Sequence, residues 1–142
     1  ELVYERSGPD RWLSSYFLLR QLADQAKTNG PGADATRQAV GRLAAHLWTL
    51  HQMSGSIAGM VEEGSLPNTE AALVKDLGTT FEREIPEVVR KVVPEQARFG
   101  AAGNPALAHA LDHISLHAPS FTIRGGTREI LRGILAKSLG MR

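Results

Sequence analysis

The chain has 142 residues, of which 42% are hydrophobic, so it is long enough for one domain with a buried core. Its 16 basic and 15 acidic residues leave a net charge of +1, which gives no electrostatic basis for binding nucleic acid or a membrane surface, and no apolar run reaches the ~20 residues of a membrane span. The absence of cysteine excludes disulfides, thiolate metal sites and a cysteine nucleophile, and it agrees with the cytoplasmic location that we expect.

The first half of the chain has the apolar spacing of helices. We predict a first helix from about Leu2 to Lys27, loosened at Gly8-Pro9, and then a break at 29–32, which reads Asn-Gly-Pro-Gly. A second, long helix is predicted from about Ala35 to Glu63. Because the helical pattern is already under way at the first residue, we expect 1–142 to be the C-terminal domain of a longer protein.

A third helix is predicted to begin at Asn68 and Thr69. Pro86 is expected to bend or end it near Ile85, because proline lacks the N–H that the interior of a helix uses. A further turn or two then leads to Pro94.

The last third of the chain contains clear signals for the start of a helix. Asn104 followed by Pro105 supplies an N-cap and a first-turn proline, which predicts a helix to about Leu116. The Ala-Pro-Ser at 118–120 should end it, and a last helix should begin near Thr127. Strand signals are weak throughout. We therefore predict an all-α fold, an up-and-down four-helix bundle with a short C-terminal closing helix.

His109, His113 and His117 recur at intervals of four, which places them on one helix face. The first and third lie about 12 Å apart by helix rise, and no cluster of cysteines or carboxylates completes a ligand set. We therefore expect no metal site and interpret these histidines as core or surface residues.

Two short segments are candidates for a functional site. Gly125 and Gly126 precede the last predicted helix, with Thr127 as its N-cap. Two adjacent glycines let the backbone approach a ligand closely, and the N–H groups of the first helical turn favour an anionic or polar ligand. The alternative is a permissive turn that only starts a helix. The second candidate is Glu5 followed by Arg6, which on residue types alone is typical of a solvated helix face.

The C-terminal segment resembles the closing motif of the acyl-CoA dehydrogenases, in which an Ile-Tyr-Glu-Gly-Thr loop runs into a final helix. The matching residues here are Ile123-Arg124-Gly125-Gly126-Thr127, followed by Glu129-Ile130 and Arg132. The glutamate of that loop is the catalytic base in most of the family, and Gly125 stands in its place here.

Glu5 and Arg6 resemble a second arrangement known in that family, in which the catalytic glutamate lies on another element. In the branch that includes the isovaleryl-CoA and long-chain enzymes, the base is a glutamate that precedes an arginine on the first helix of this domain, and the loop position is small. The resemblance therefore implies that Glu5 is the catalytic base and Arg6 its partner. It also implies that the backbone N–H of Gly125 helps to polarise the thioester carbonyl.

The resemblance assigns the remaining loop residues to the cofactor. Gly125, Gly126 and Thr127 would line flavin and thioester. Arg124 replaces an aromatic residue, and it would pair with a flavin phosphate, pair with a substrate carboxylate, or face solvent. Two segments depart from the family pattern, 27–32 and 116–121, and these departures leave the flavin contacts between subunits open.

The implied function is FAD-dependent α,β-dehydrogenation of an acyl-CoA thioester, with an electron-transferring flavoprotein as electron acceptor and a homo- or hetero-oligomer as the assembly. The isolated 142 residues should be inactive, since the family's other domains supply much of the site. One alternative is a non-catalytic structural subunit of a mixed acyl-CoA dehydrogenase oligomer. Another is a plain helical interaction module.

Overall fold

The computed structural model describes residues 2–101 and 103–141, with the backbone alone for residues 2–4, and its regular elements are all helical. In chain order they are α1 (Leu2–Ser7), a 3₁₀ helix (Pro9–Arg11), α2 (Tyr16–Gln25), α3 (Ala33–Glu62), α4 (Asn68–Val92), α5 (Glu95–Phe99), α6 (Pro105–Phe121) and α7 (Arg128–Ser138). The predicted all-α fold is confirmed. Within the described ranges, no helix combines the length and apolar character that crossing a bilayer requires.

The bundle consists of α2, α3, α4 and α6. Helix α3 packs against α4 and α2, and α6 packs against the other sides of the same two helices. Helix α4 is central, because it also contacts α1 and α7. The core side of α4 carries small, branched and aromatic apolar residues: Ala71, Ala72, Val74, Phe81, Ile85, Val88 and Val89. Since α1 and α7 both lie on α4, the two ends of the chain meet there.

The predicted first helix is wrong as one continuous element, because residues 2–25 form α1, the 3₁₀ helix and α2. Gly8 is extended, with φ −65° and ψ 159°, and Pro9 begins the 3₁₀ helix, where a missing N–H is tolerated. The break turns the chain back on itself. As a result, the Arg11 Nε donates a hydrogen bond to the Glu5 carbonyl oxygen at 2.6 Å.

Of the two outcomes predicted for Pro86, a bend or an end, the end is wrong, because α4 continues to Val92. A proline at this position leaves the carbonyl oxygen of Glu82, four residues earlier, without its helical donor. The buried hydroxyl of Ser15 donates to that oxygen at 3.3 Å. A tertiary contact therefore replaces the missing helical hydrogen bond.

Helix α6 begins where predicted and ends later. The Asn104 side chain caps it by accepting a first-turn backbone N–H at 3.0 Å. The helix then runs to Phe121 rather than to about Leu116, with Pro119 inside it. Ala118 and Phe121 flank this proline and are both buried, so core packing holds the last turn in helical form.

Candidate functional site

The N-terminal helix and the loop before α7 meet, although they lie at opposite ends of the sequence. The Arg6 Nε donates to the Gly125 carbonyl oxygen at 3.2 Å, across 119 positions. A Cβ on Gly125 would lie 3.3 Å from the Glu5 Oε1, and one on Gly126 would lie 3.8 Å from the Arg6 Nη2. The structure thus brings together four of the residues that the sequence singled out.

The carboxylate of Glu5 is held by Arg11, a residue that the sequence did not indicate. The Arg11 Nη2 lies 3.3 Å from the Glu5 Oε1, while its Nε bonds the Glu5 carbonyl oxygen. The Arg11 side chain is 7% exposed and that of Glu5 is 43% exposed. The predicted partner, Arg6, is buried and contacts the glycine loop instead. The carboxylate is therefore fixed on its protein side and open on the other.

Gly125 and Gly126 have φ angles of +67° and +109°, a region that residues with side chains seldom adopt. A side chain at 125 would point at the Glu5 carboxylate and at Lys75, whose Cε lies 3.4 Å from the Cβ position. The carboxylate of Glu5 thus occupies the space toward which a side chain at 125 would extend. In the described chain, the backbone N–H of Gly125 donates to no other residue.

Arg124 faces the protein. Its Nη2 lies 3.2 Å from the Glu82 Oε2 and 3.1 Å from the Ser14 Oγ, and its guanidinium lies 4.8 Å above the Phe121 ring. Glu82 is fully buried, and burial raises the pKa of its carboxyl against the opposing hydrogen bonds from Ser14 and the charge of Arg124. These contacts tie the loop to α4 and to the segment that precedes α2. The assignment of Arg124 to a cofactor stays a prediction.

Thr127 is the N-cap of α7, with extended backbone at φ −71° and ψ 162°. Its hydroxyl makes no capping bond to the backbone of the first turn. Instead, the backbone N–H of Glu129 and the Thr127 hydroxyl bond the Glu129 carboxylate and lower its pKa. The role of Thr127 at flavin stays a prediction.

Lys75 is the other residue that sequence reasoning did not assign to the site. It is fully buried, and its Nζ has no hydrogen-bond partner in the part of the chain that the structure describes. Burial lowers the pKa of Lys75 below 10.5, and the charges of Arg11 and Arg124 lower it further. The available signal was its helical spacing from the buried Ala71 and Gly78, which places a lysine on the inner stripe of α4.

The three histidines of α6 are exposed and stacked on one another, with centroids 6.5 Å apart for the first pair and 4.3 Å for the second. Across residues 2–101 and 103–141, no group of three or more side chains of the metal-binding types is placed to hold an ion.

The chain was compared with known proteins. Residues 16–140 match the family model described as acyl-CoA dehydrogenase, C-terminal domain. The match includes the loop at 124–127 and begins after Glu5 and Arg6, so their roles depend on the resemblance and on the contacts above. No curated protein and no solved structure matches the chain.

Proposed function

The chain belongs to the acyl-CoA dehydrogenase family as a C-terminal domain, and we propose that it supplies the catalytic base of an FAD-dependent enzyme that introduces a double bond into acyl-CoA thioesters. One observation carries this proposal: the carboxylate of Glu5 lies 3.3 Å from the Cβ position of Gly125. A base on α1 and a base on the loop would therefore reach the same space, and the chain keeps only one of them.

The proposed chemistry needs a carboxylate against the α-carbon of the substrate. The α-proton of a thioester is weakly acidic, so its removal needs a positioned base and a stabilised carbonyl oxygen. Glu5 takes the proton, and Arg11 positions Glu5 through one contact to the carboxylate and one hydrogen bond to the backbone carbonyl oxygen. The unpaired N–H of Gly125 polarises the thioester carbonyl. Glycine retains this N–H and leaves room for Glu5.

The loop also fits a flavin. Gly126 presents backbone without a side chain, and a Cβ there would meet only ordinary contacts at 3.8 and 3.9 Å, so another group has room to approach closely. Gly126 and Thr127, at the start of α7, would hold FAD, which supplies the hydride acceptor. Reduced flavin would pass its electrons to an electron-transferring flavoprotein, and the remaining walls of the site would come from other domains and from an oligomer.

A non-catalytic structural subunit is the second candidate, and the surroundings of Arg124 favour it. One end of the guanidinium, the Nη2, is bound by Glu82 and Ser14, so this chain's own residues already hold that end. A subunit that had lost its flavin contacts would tolerate such an arrangement. The presence of Glu5, with its carboxylate in contact with Arg11, is evidence against a non-catalytic subunit.

Glu5→Gln in the full natural chain decides between the two. We expect kcat/KM to fall by several orders of magnitude, because glutamine keeps the shape of the side chain and removes the base. Glu63→Gln, at an exposed residue beyond the end of α3, is the matched control and should leave the rate unchanged. Unchanged activity in Glu5→Gln would support the structural subunit.

The reverse exchange tests the shared space directly. Glu5→Gly should be inactive, and adding Gly125→Glu should restore part of the rate, because a side chain at 125 extends toward the position of the Glu5 carboxylate. A double variant no better than Glu5→Gly would mean that the two positions do not reach the same point.

A further inference from the structure

Lys75 carries a charge without a partner in the part of the fold that the structure describes. Its side chain lies fully buried on the inner face of α4, and its Nζ has no acceptor among the residues that the structure describes. An unpaired ammonium is one of the most costly groups to bury, and Met or Leu would fill the same volume. Buried titratable groups without a structural partner are concentrated at functional sites.

The position of Lys75 connects it to the proposed site. Its Cε lies 3.4 Å from the Cβ position of Gly125, and the Glu5 Oε1 lies 3.3 Å from the same point. Lys75 thus stands behind Gly125, beside the carboxylate of Glu5 and beside the loop whose N–H is unpaired. A ligand oxygen bound at that N–H would lie in the same part of the site as the ammonium.

The charges around Lys75 are mostly positive. Arg6 and Arg11 approach it from the N-terminal segment and Arg124 from the loop, while Glu5 and Asp76 are the nearby acids. Both acids already have partners. Glu5 pairs with Arg11 at 3.3 Å, and Asp76 pairs with two residues of α7, Arg128 at 2.8 Å and Arg132 at 3.5 Å. The cluster therefore favours the arrival of negative charge.

We propose that Lys75 is a positioning charge whose ammonium, from behind Gly125, stabilises the negative charge that forms on the thioester oxygen when Glu5 removes the α-proton. This inference rests on the proposed function. In that step the α C–H bond breaks, the proton passes to the Glu5 carboxylate, and the electron pair moves toward the thioester oxygen. FAD, when bound, would serve as the oxidant by accepting a hydride from the β-carbon, so that the double bond forms. Lys75 touches none of these atoms and acts through space.

The proposal has a signature in the pH profile. Only the protonated amine carries the charge, and burial together with Arg11, Arg124 and Arg6 lowers the pKa of Lys75 below 10.5. The rate should therefore fall as the pH rises through that lowered pKa. Removing the charge should lower the rate at neutral pH and abolish this alkaline fall.

The test compares Lys75→Met and Lys75→Arg in the full natural chain, with kcat/KM followed from pH 6 to 10 and thermal unfolding measured alongside. Lys75→Met should lose about 10-fold to 100-fold in kcat/KM at pH 7 and lose the alkaline fall. Its Tm should rise, because an unpaired buried cation has been removed. Lys75→Arg should recover most of the rate, with the alkaline fall moved to higher pH. Lys91→Met, at an exposed lysine of α4, is the matched control.

Each outcome decides the matter. A Lys75→Met enzyme that keeps the wild-type rate or the wild-type alkaline fall overturns the inference, and so does a rate loss that follows a loss of Tm, since a purely structural lysine behaves that way. If Lys75→Arg fails to fold, the pH profile and Tm of Lys75→Met decide alone. If the wild-type chain reduces no flavin with any acyl-CoA, the proposed function fails and this inference fails with it. If the wild-type chain reduces flavin with an acyl-CoA and the Lys75 variants behave as the wild type does, this inference fails and the proposed function stands.

Discussion

Replacing Gly125 by alanine tests the geometry of the site, because the structure predicts two separate effects. The first is backbone strain: φ is +67°, and an L-residue in the left-handed region costs about 1–2 kcal/mol. The second is contact, since the new Cβ would lie 3.3 Å from the Glu5 Oε1 and 3.4 Å from the Lys75 Cε. The end of the Glu5 side chain gives way more easily than backbone, so we expect the carboxylate to move by a few tenths of an ångström.

The two effects are separated by a control at Gly64, which has φ +84° and nothing within 4 Å of its Cβ position. Both Gly125→Ala and Gly64→Ala should lower the free energy of unfolding by about 1–2 kcal/mol and lower the Tm with it. Only Gly125→Ala should lower kcat/KM, by about tenfold, because it displaces the base.

The measurements are thermal unfolding and steady-state kinetics of both variants in the full natural chain. If Gly125→Ala keeps the wild-type rate, the carboxylate of Glu5 does not lie where the structure places it. If Gly125→Ala keeps the wild-type Tm while Gly64→Ala loses stability, the backbone at 125 is not left-handed. Either result would refute the reasoning.

Three further changes test the surroundings of the site. Ser15→Ala should lower the free energy of unfolding by about 1–2 kcal/mol, because the Glu82 carbonyl oxygen loses the donor that replaces the missing N–H of Pro86. In a Pro86→Ala background a helical donor returns, so denaturant unfolding should show a smaller loss for Ser15→Ala. An equal loss in both backgrounds would mean that Ser15 does not replace that donor. Lys75→Met should be more stable than the wild type, and the difference in the free energy of unfolding should be largest at neutral pH. As the pH rises from the lowered pKa of Lys75 toward 10.5, this difference should shrink, because the unfolded wild type then binds more protons than the folded one. A constant difference across that range would contradict burial of the ammonium. Arg11→Met should lower kcat/KM by about tenfold or more, because Glu5 loses both contacts that orient it, and an unchanged rate would exclude Arg11 from positioning the base.

The parts of the fold that the sequence predicted depend on local interactions. Asn104 caps α6 with its own side chain, and the glycine after Glu63 takes the left-handed conformation that follows the end of α3. Such signals act within a few residues, so they are visible in the sequence. Pro86 shows the limit: its helix survives because Ser15, far away in the chain, supplies a hydrogen bond. At Gly8-Pro9 the sequence predicted only a loosened helix, whereas the structure has a break. The break lets Arg11 contact α1, and this contact depends on tertiary packing.

The candidate site divides in the same way. The spacing of residues did not link Glu5 to Gly125; the resemblance to the acyl-CoA dehydrogenases did, and the structure then brought the two within contact distance. Arg11 was not singled out in the sequence, and Lys75 was matched to a lysine of a family helix but was not assigned to the site. A buried, unpartnered lysine is visible only when the surrounding elements are in place.

The most direct test of the proposed function is the visible absorption spectrum of the full natural chain, recorded without oxygen before and after the addition of a panel of acyl-CoA thioesters. The account predicts a bound flavin whose absorption is bleached by at least one thioester in the wild type, and a Glu5→Gln variant that binds flavin and thioester but is not bleached. A protein that takes up no flavin, or a Glu5→Gln variant that is bleached as fast as the wild type, would contradict the assignment of Glu5 as the base.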